Sequence, residues 1–223
     1  MIHLLTGAGS GIGAVLAQRL LDRGDEVVAI ARSEERAAEL AGRLDGVAVL
    51  VADLAHPDSV ESLPLPDALD SVVHLAGVVE LGPVSDLDVE TWDTTLRVNL
   101  VAPAALTRVA LPALRAARGT VVFVNSSAGQ VAHPTWAAYA ASKHGLRALA
   151  DSLRGEEAGH GVRVTTVFPG RTATPMQEKV HAQEGKDYDA AQWVRPETVA
   201  EAILGVLDLG PDATVTDVSV KPR

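Results

Sequence analysis

The chain of 223 residues reads as an α/β protein, a doubly wound sheet of seven mostly parallel strands with helices on both faces. Three observations predict it. Short apolar runs recur with helix-length stretches between them, the alternation that builds βαβ units. Hydrophobic residues make up 47% and aromatics only 3%, with Ala, Val and Leu dominant, as in strands covered on both faces. A cluster of glycines also falls where the first apolar run meets the first helical pattern.

The elements follow in order. Ile2–Leu5 is the first strand, and Ile12–Asp22 the first helix, closed by Gly24. Glu26–Ala31 is the second strand. Glu34–Leu44 is a helix with Glu34 and Glu35 in its first turn, where acids balance the dipole. Val47–Val51, a short helix at Asp58–Leu63 and Ser71–Leu75 come next. A long helix runs from about Val89 to Arg115, closed by Gly119, before the strand Thr120–Asn125. The last group is a helix from Thr135 to Gly159, the strand Arg163–Phe168, a helix at Pro196–Leu209 and the strand Val215–Val220. Pro196 suits a first helical turn, where its missing N–H is no loss. Pro169 to Val194 is charged and irregular, and a stretch of that length is expected to act as a lid over residues 170–195. No linker divides the chain, so residues 1–223 are expected to form one domain.

Function starts at Thr6-Gly7-Ala8-Gly9-Ser10-Gly11-Ile12-Gly13. Glycines at a strand-to-helix turn let backbone N–H groups approach a pyrophosphate at a helix N-terminus, the Rossmann-type arrangement. A tight connection is the plainer reading; the strand before, the helix after and a second strand beyond favour the nucleotide. The tip of the second strand selects the dinucleotide. NAD binders place an acid there for the ribose 2′-OH, and NADP binders supply arginine. Here Ala31 is followed by Arg32 and Ser33 with no acid at the tip, which favours NADP(H) over NAD(H); a solvated arginine is the competing account. Asp53, followed by Leu54 after the third strand, is expected to meet the adenine, against the plainer account of an exposed loop aspartate.

Tyr139 and Lys143 stand at i and i+4 on one helix face. A phenol near pKa ~10 needs roughly 4 kcal/mol of phenolate stabilisation to reach neutrality, and an ammonium nearby has the right sign to supply it. Ser126 ends a strand at the carboxyl edge of the sheet, where ligands of open α/β folds bind.

With these residues in place, the chain resembles the single-domain, NADP(H)-dependent branch of the short-chain dehydrogenase/reductase family over its whole length. The glycine motif matches residues 6–13, and Tyr-x-x-x-Lys matches Tyr139 and Lys143. The serine motif matches Ser126-Ser127-Ala128-Gly129, and the structural asparagine matches Asn99. The family's Asn-Asn-Ala-Gly corresponds to His74-Leu75-Ala76-Gly77, a departure at its first two positions. Pro169-Gly170 matches the turn after the sixth strand, with Thr172 and Thr174 near the nicotinamide carboxamide. The resemblance implies that Ser126 orients a substrate oxygen, Tyr139 protonates it, Lys143 lowers the tyrosine pKa and binds the nicotinamide ribose, and Asn99 holds a water leading from Lys143 to solvent. His74 is expected to bond backbone rather than to act in catalysis.

The implied activity is reduction of a ketone or aldehyde with NADPH. An NAD-dependent alcohol dehydrogenase is the alternative, and a dinucleotide-sensing protein without turnover is a third reading that the intact Asn99, Ser126, Tyr139 and Lys143 disfavour. Val78, Gln130, Trp136, Met176, Gln177 and Trp193 flank the predicted pocket, and a small or medium apolar carbonyl compound is the expected substrate, with Arg171 beside the Pro-Gly turn. A formal charge of −10 argues against a nucleic-acid partner. No apolar run approaches bilayer length and no signal segment leads the chain, so neither a membrane partner nor export is expected. The absence of cysteine excludes thiolate–metal sites and fits the cytoplasm; no metal is expected. The helices at 89–115 and 135–159 resemble the family's association helices, which implies a homodimer or tetramer.

Overall fold

The computed structural model describes residues 1–223. Its strands are β1 (Ile2–Thr6), β2 (Glu26–Ala31), β3 (Ala48–Val51), β4 (Ser71–His74), β5 (Thr120–Val124), β6 (Arg163–Pro169) and β7 (Asp217–Val220). They form one sheet in the order β3-β2-β1-β4-β5-β6-β7. Every neighbouring pair is parallel, so "mostly parallel" becomes wholly parallel. Parallel neighbours need crossovers, which is why helices separate most of the strands. The chain winds outward from β1 to β3, returns to β4 beside β1, and winds the other way; the crevice where the direction reverses is where such sheets bind ligands.

Alternation along the strands builds two cores. Leu4, Val28, Val72 and Val121 point to one face, and Leu5, Ala29, Val73 and Val122 to the other. The second face is covered by α1 (Gly11–Asp22), α2 (Glu34–Arg43) and α7 (Pro196–Leu207), through Leu16, Leu20, Leu40 and Ile203. The first is covered by α4 (Ala102–Ala117) and α5 (Ala137–Glu157), through Leu106, Leu114, Leu146 and Leu153. Burying each such side chain is worth about 1.5–3 kcal/mol.

Several elements differ from expectation. The helix read as 89–115 is α3 (Val89–Leu96), one π turn at Arg97–Val101, and α4, running on without a break. At 29 residues this run is long and apolar enough to cross a membrane, contrary to the sequence reading, but Leu106, Ala110 and Leu114 bury its inner face against the sheet. The expected helix at 58–63 is only a 3-10 turn, Pro57–Val60. Most of all, the stretch read as irregular contains α6 (Pro175–Gln183). At the end of α4 the left-handed residue is Arg118 (φ 52°), not Gly119; Gly119 is needed because a Cβ there would lie 2.4 Å from the Leu69 carbonyl oxygen.

His74, closing β4, bonds the Thr107 hydroxyl (2.9 Å) rather than backbone, and stacks on Phe123 with ring centroids 4.9 Å apart. Burial pushes its pKa down to about 3. Since the folded value lies below the unfolded one, this contribution to stability is full above pH ~6.5 and is lost as pH falls toward 3. Between pH 6.5 and 5 the loss is roughly 2 kcal/mol. Urea unfolding at both pH values should show His74→Asn losing less stability than the parent by about that amount; equal losses would rule the histidine out.

Candidate active site

Two clefts meet at the carboxyl edge of the sheet. The first, of about 770 Å³, runs from Arg32, Asp53 and Leu54 past the glycine turn and Ala76-Gly77 to Lys143. The second, of about 820 Å³, holds Ser126, Pro169, Gly170 and Thr172. Ile12, Asn125, Tyr139, Thr174 and Met176 line both.

The glycine turn is built for close approach. Gly7 and Gly11 have φ of 73° and 53°, the left-handed region that disfavours side chains. A Cβ on Gly13 would lie 2.2 Å from the Gly7 carbonyl oxygen, and one on Gly7 would lie 2.6 Å from the Ala76 nitrogen. The turn therefore packs directly on the end of β4. Thr6 locks the two together, its hydroxyl accepting from the backbone N–H of Leu75 (3.1 Å) and Ala76 (3.0 Å). Ser10 caps α1 with no side-chain bond, and the first turn of α1 holds no acid. The start of α1 thus keeps its positive end for an external anion, and these residues fit a dinucleotide diphosphate.

At the far end of that cleft stand three arginines. Arg43 donates to the Gly9 carbonyl (2.9 Å), Arg36 pairs with Glu39 (2.6 Å), and Arg32 enters no ion pair. Two expected contacts are partly occupied by local structure. Ser33 caps α2, its side chain accepting from the Arg36 N–H, and does not line the cleft. Asp53 accepts from the Ala55 N–H (3.0 Å) through Oδ1, which leaves Oδ2 and a second lone pair of Oδ1 for a ligand.

The structure brings Ser126, Tyr139 and Lys143 together. The Ser126 hydroxyl accepts from the Ala128 N–H (3.1 Å) and lies on the same cleft wall as the Tyr139 phenol. The Lys143 ammonium donates to the Val124 carbonyl (3.1 Å) and lies 5.7 Å from the Tyr139 ring centre. Burial sets both pKa values. It raises Tyr139 above the usual phenol value, a rise that the Ser126 hydroxyl partly opposes, and lowers Lys143 to about 8. The expected lowering of the tyrosine by the ammonium is not what these groups produce.

Asn99 sits in the π turn, a feature often found at functional sites. Its Oδ1 accepts from the Val78 N–H (2.8 Å), and its Nδ2 donates to the Val78 carbonyl (2.9 Å) and the Ser142 hydroxyl (3.0 Å). Both amide hydrogens are spent, so Asn99 clamps Val78 to α5, and only the second lone pair of Oδ1 is free for the expected water. Thr172 and Thr174 each bond local backbone, to Gly170 and Thr172 carbonyls.

Asn125 escaped the sequence reading. It donates to the Lys143 carbonyl (2.9 Å) and accepts from the Ser126 N–H (2.8 Å), tying serine strand to lysine helix. Gly129 is its counterpart, for a Cβ there would lie 2.3 Å from Asn125 Oδ1. Thr135, at the mouth of α5, is a β-branched residue at φ 68°, an outlier held by the Gly82 N–H donating to its carbonyl (2.8 Å).

Of the expected pocket residues, Trp136 packs edge-on to Tyr139 (5.8 Å), and Met176 and Gln177 line the second cleft. Val78 lines the first. Gln130 turns away to Ser219 (3.4 Å) and lines neither. Trp193 lies under the Arg171 guanidinium at 5.4 Å. The second cleft is not the apolar pocket expected: Arg171, Glu184 and Lys186 form one of its walls.

A fully parallel, doubly wound sheet with Ser, Tyr and Lys converging beside a glycine turn defines a class, the Rossmann-type proteins with a dinucleotide cleft. The family model described as short chain dehydrogenase matches residues 1–185, and the chain belongs to that family, as an oxidoreductase. An uncharacterized oxidoreductase of Staphylococcus epidermidis is 30% identical, with 99% of this chain and 96% of the relative covered. The closed form of a serine dehydrogenase complexed with NADP+ superimposes with a TM-score of 0.88 at 27% identity, covering 100% of this chain and 95% of that one. An alcohol dehydrogenase from Thermococcus sibiricus complexed with 5-hydroxy-NADP gives 0.85 at 25% identity, covering 99% and 96%.

Proposed function

We propose that the chain is an NADPH-dependent reductase of ketones or aldehydes, reversible as an alcohol dehydrogenase. The observation that carries this reading is the convergence of Ser126 and Tyr139 where the two clefts meet, with Lys143 behind the phenol ring. The nicotinamide would supply or accept the hydride. Ser126 would donate to the substrate carbonyl oxygen and hold it against Tyr139, which gives it a proton as the alcohol forms. Tyr139, raised above the usual phenol value by burial, carries its proton at neutral pH and can act as the donor. Lys143 would meet the ribose hydroxyls, and Asn99 and Asn125 hold the lysine's helix in place. The solved neighbours complexed with NADP+ and 5-hydroxy-NADP support a nicotinamide cofactor.

Unpaired Arg32, flanked by Arg36 and Arg43, supports the phosphorylated form. Arg32→Asp should weaken NADPH binding about tenfold or more and leave NADH within a few-fold, read by fluorescence titration of each. A variant that binds NADPH like the parent would remove Arg32 from the 2′-phosphate.

In this reading residues 1–223 act as one domain, with α6 as the lid. One side of α6 is held by Glu80, which pairs with Lys179 (2.6 Å) and bonds Gln183; the other is held by the Arg171–Glu184 pair. Self-association through the 89–115 and 135–159 helices is supported by Val89 and Val101, exposed on the first of them.

A further inference from the structure

The second cleft is amphipathic. Val79, Leu81 and Trp136 form an apolar wall near Tyr139, and Arg171, Glu184 and Lys186 form a charged corner. The corner is built, not incidental. Arg171 follows the Pro169-Gly170 turn at the end of β6, and its guanidinium lies over the Trp193 ring. Its Nη2 donates to both Glu184 oxygens, at 2.7 and 2.9 Å. Lys186 donates to the same carboxylate at 3.1 Å. Gly185 sets this spacing: at φ 65° it ends α6, with its own N–H on the Ala182 carbonyl and the Lys186 N–H on the His181 carbonyl (2.9 Å). Glu184 and Lys186 are thereby fixed around Arg171.

The charges do not balance. Glu184 is the only acid lining this cleft, against two full cations, in a chain of net charge −10. Arg171 gives one Nη1 hydrogen to His181 Nε2 (3.4 Å) and retains its Nε hydrogen and the other on Nη1, and Lys186 retains two of its three. Such an excess at one end of a cleft draws an anionic ligand toward it. A carboxylate is the small anion that would complete the alternation of charge while leaving a short carbon chain on the apolar wall.

We propose that the natural substrate is a short hydroxy acid or the corresponding oxo acid, its carboxylate seated on Arg171 and Lys186 while the reacting C–O lies between Ser126 and Tyr139. This rests on the oxidoreductase reading above. In the reductive direction NADPH would give its hydride to the oxo carbon, Tyr139 would give its proton to the oxygen, and the hydroxy acid and NADP+ would leave; the reverse reaction starts from the Tyr139 phenolate.

The test compares matched pairs in the intact protein: lactate, 3-hydroxybutyrate and 4-hydroxybutyrate with NADP+, each against its methyl ester, with a neutral series of simple ketones and NADPH alongside. The expected result is a kcat/KM for at least one acid about tenfold or more above its ester, carried by KM. Lys186→Met, at an exposed side chain outside the helix, should cut that acid-to-ester ratio roughly threefold to fivefold, and Lys186→Arg should restore most of it. Esters equal to or better than every acid, or a ratio unmoved in Lys186→Met, would overturn the carboxylate seat. Turnover of neutral ketones alone would do the same while leaving the reductase reading standing. No turnover of any compound by a protein that still binds NADPH would overturn both.

Discussion

Tyr139→Phe should lower kcat by about 10²–10⁴-fold while leaving NADPH affinity within a few-fold of the parent. The substitution removes one oxygen and keeps the ring. That ring packs among Val79, Ala128 and Val180, with Trp136 edge-on beside it, and phenylalanine fills the same space. The oxygen removed lies outside that packing, so its loss costs about 1 kcal/mol of stability or less, and a fall in activity cannot be charged to unfolding. Steady-state turnover of ketones and a fluorescence titration with NADPH, run on the same preparation, give the two readouts. Retained turnover would end the assignment of Tyr139 as proton donor; lost cofactor binding would show that the phenol shapes the first cleft instead.

Lys143→Met should move activity and stability in opposite directions. Burial lowers the lysine from 10.5 to about 8, so holding it charged in the folded state costs about 3 kcal/mol relative to the unfolded chain. Below pH 8 both states carry the proton and the whole cost stands. Between 8 and 10.5 the folded state has released a proton that the unfolded state still binds, so stability rises with pH across that window. Methionine abolishes the cost at every pH but leaves the Val124 carbonyl without its donor, a loss of about 1–3 kcal/mol. The variant is expected to be as stable as the parent or more so at pH 7, with its advantage shrinking by roughly 3 kcal/mol at pH 10.5. Urea titrations at the two pH values measure this. Turnover should fall by about 10²-fold or more. An advantage that is constant with pH would mean that Lys143 is not strained by its surroundings.

The seven strands were legible because each is a short apolar run set off by polar, Gly or Pro residues, and their ends fell within two residues of expectation. The glycine turn, Ser126, Tyr139 and Lys143 were legible because their chemistry demands particular residues at particular spacings. Contacts made through space were not. Thr6, Asn125 and Ser142 are ordinary strand-end or helix residues until the fold brings Ala76, Lys143 and Asn99 against them. The π turn around Asn99 has no signature in a run of helix-forming residues. The missed helix is different, since its signals were present: Thr174 as cap, Pro175 in the first turn, Glu178 near the dipole, and Gly185 past the end. Its polar composition hid it, because only Val180 and two polar side chains, Gln177 and His181, are buried. The charged wall of the second cleft went unread for the same reason. Arg171, Glu184 and Lys186 are separate charges in the sequence and become one wall only when that helix folds back.

The strand order also bears on how the protein is made. As the chain leaves the ribosome, β1 can pair with β2, and β3 can join by residue 51. From β4 onward each newly synthesised strand lands on the open edge left by the one before, all on the same side. Until β7 arrives at Asp217–Val220 the nascent protein therefore presents a bare row of backbone donors and acceptors, the template on which neighbouring chains aggregate. The last strand is short and alternately exposed, so it serves chiefly to cap β6. Loss of the final few residues by early termination would leave the long buried strand β6 as the edge, and such a truncated product would be sticky before it was unstable.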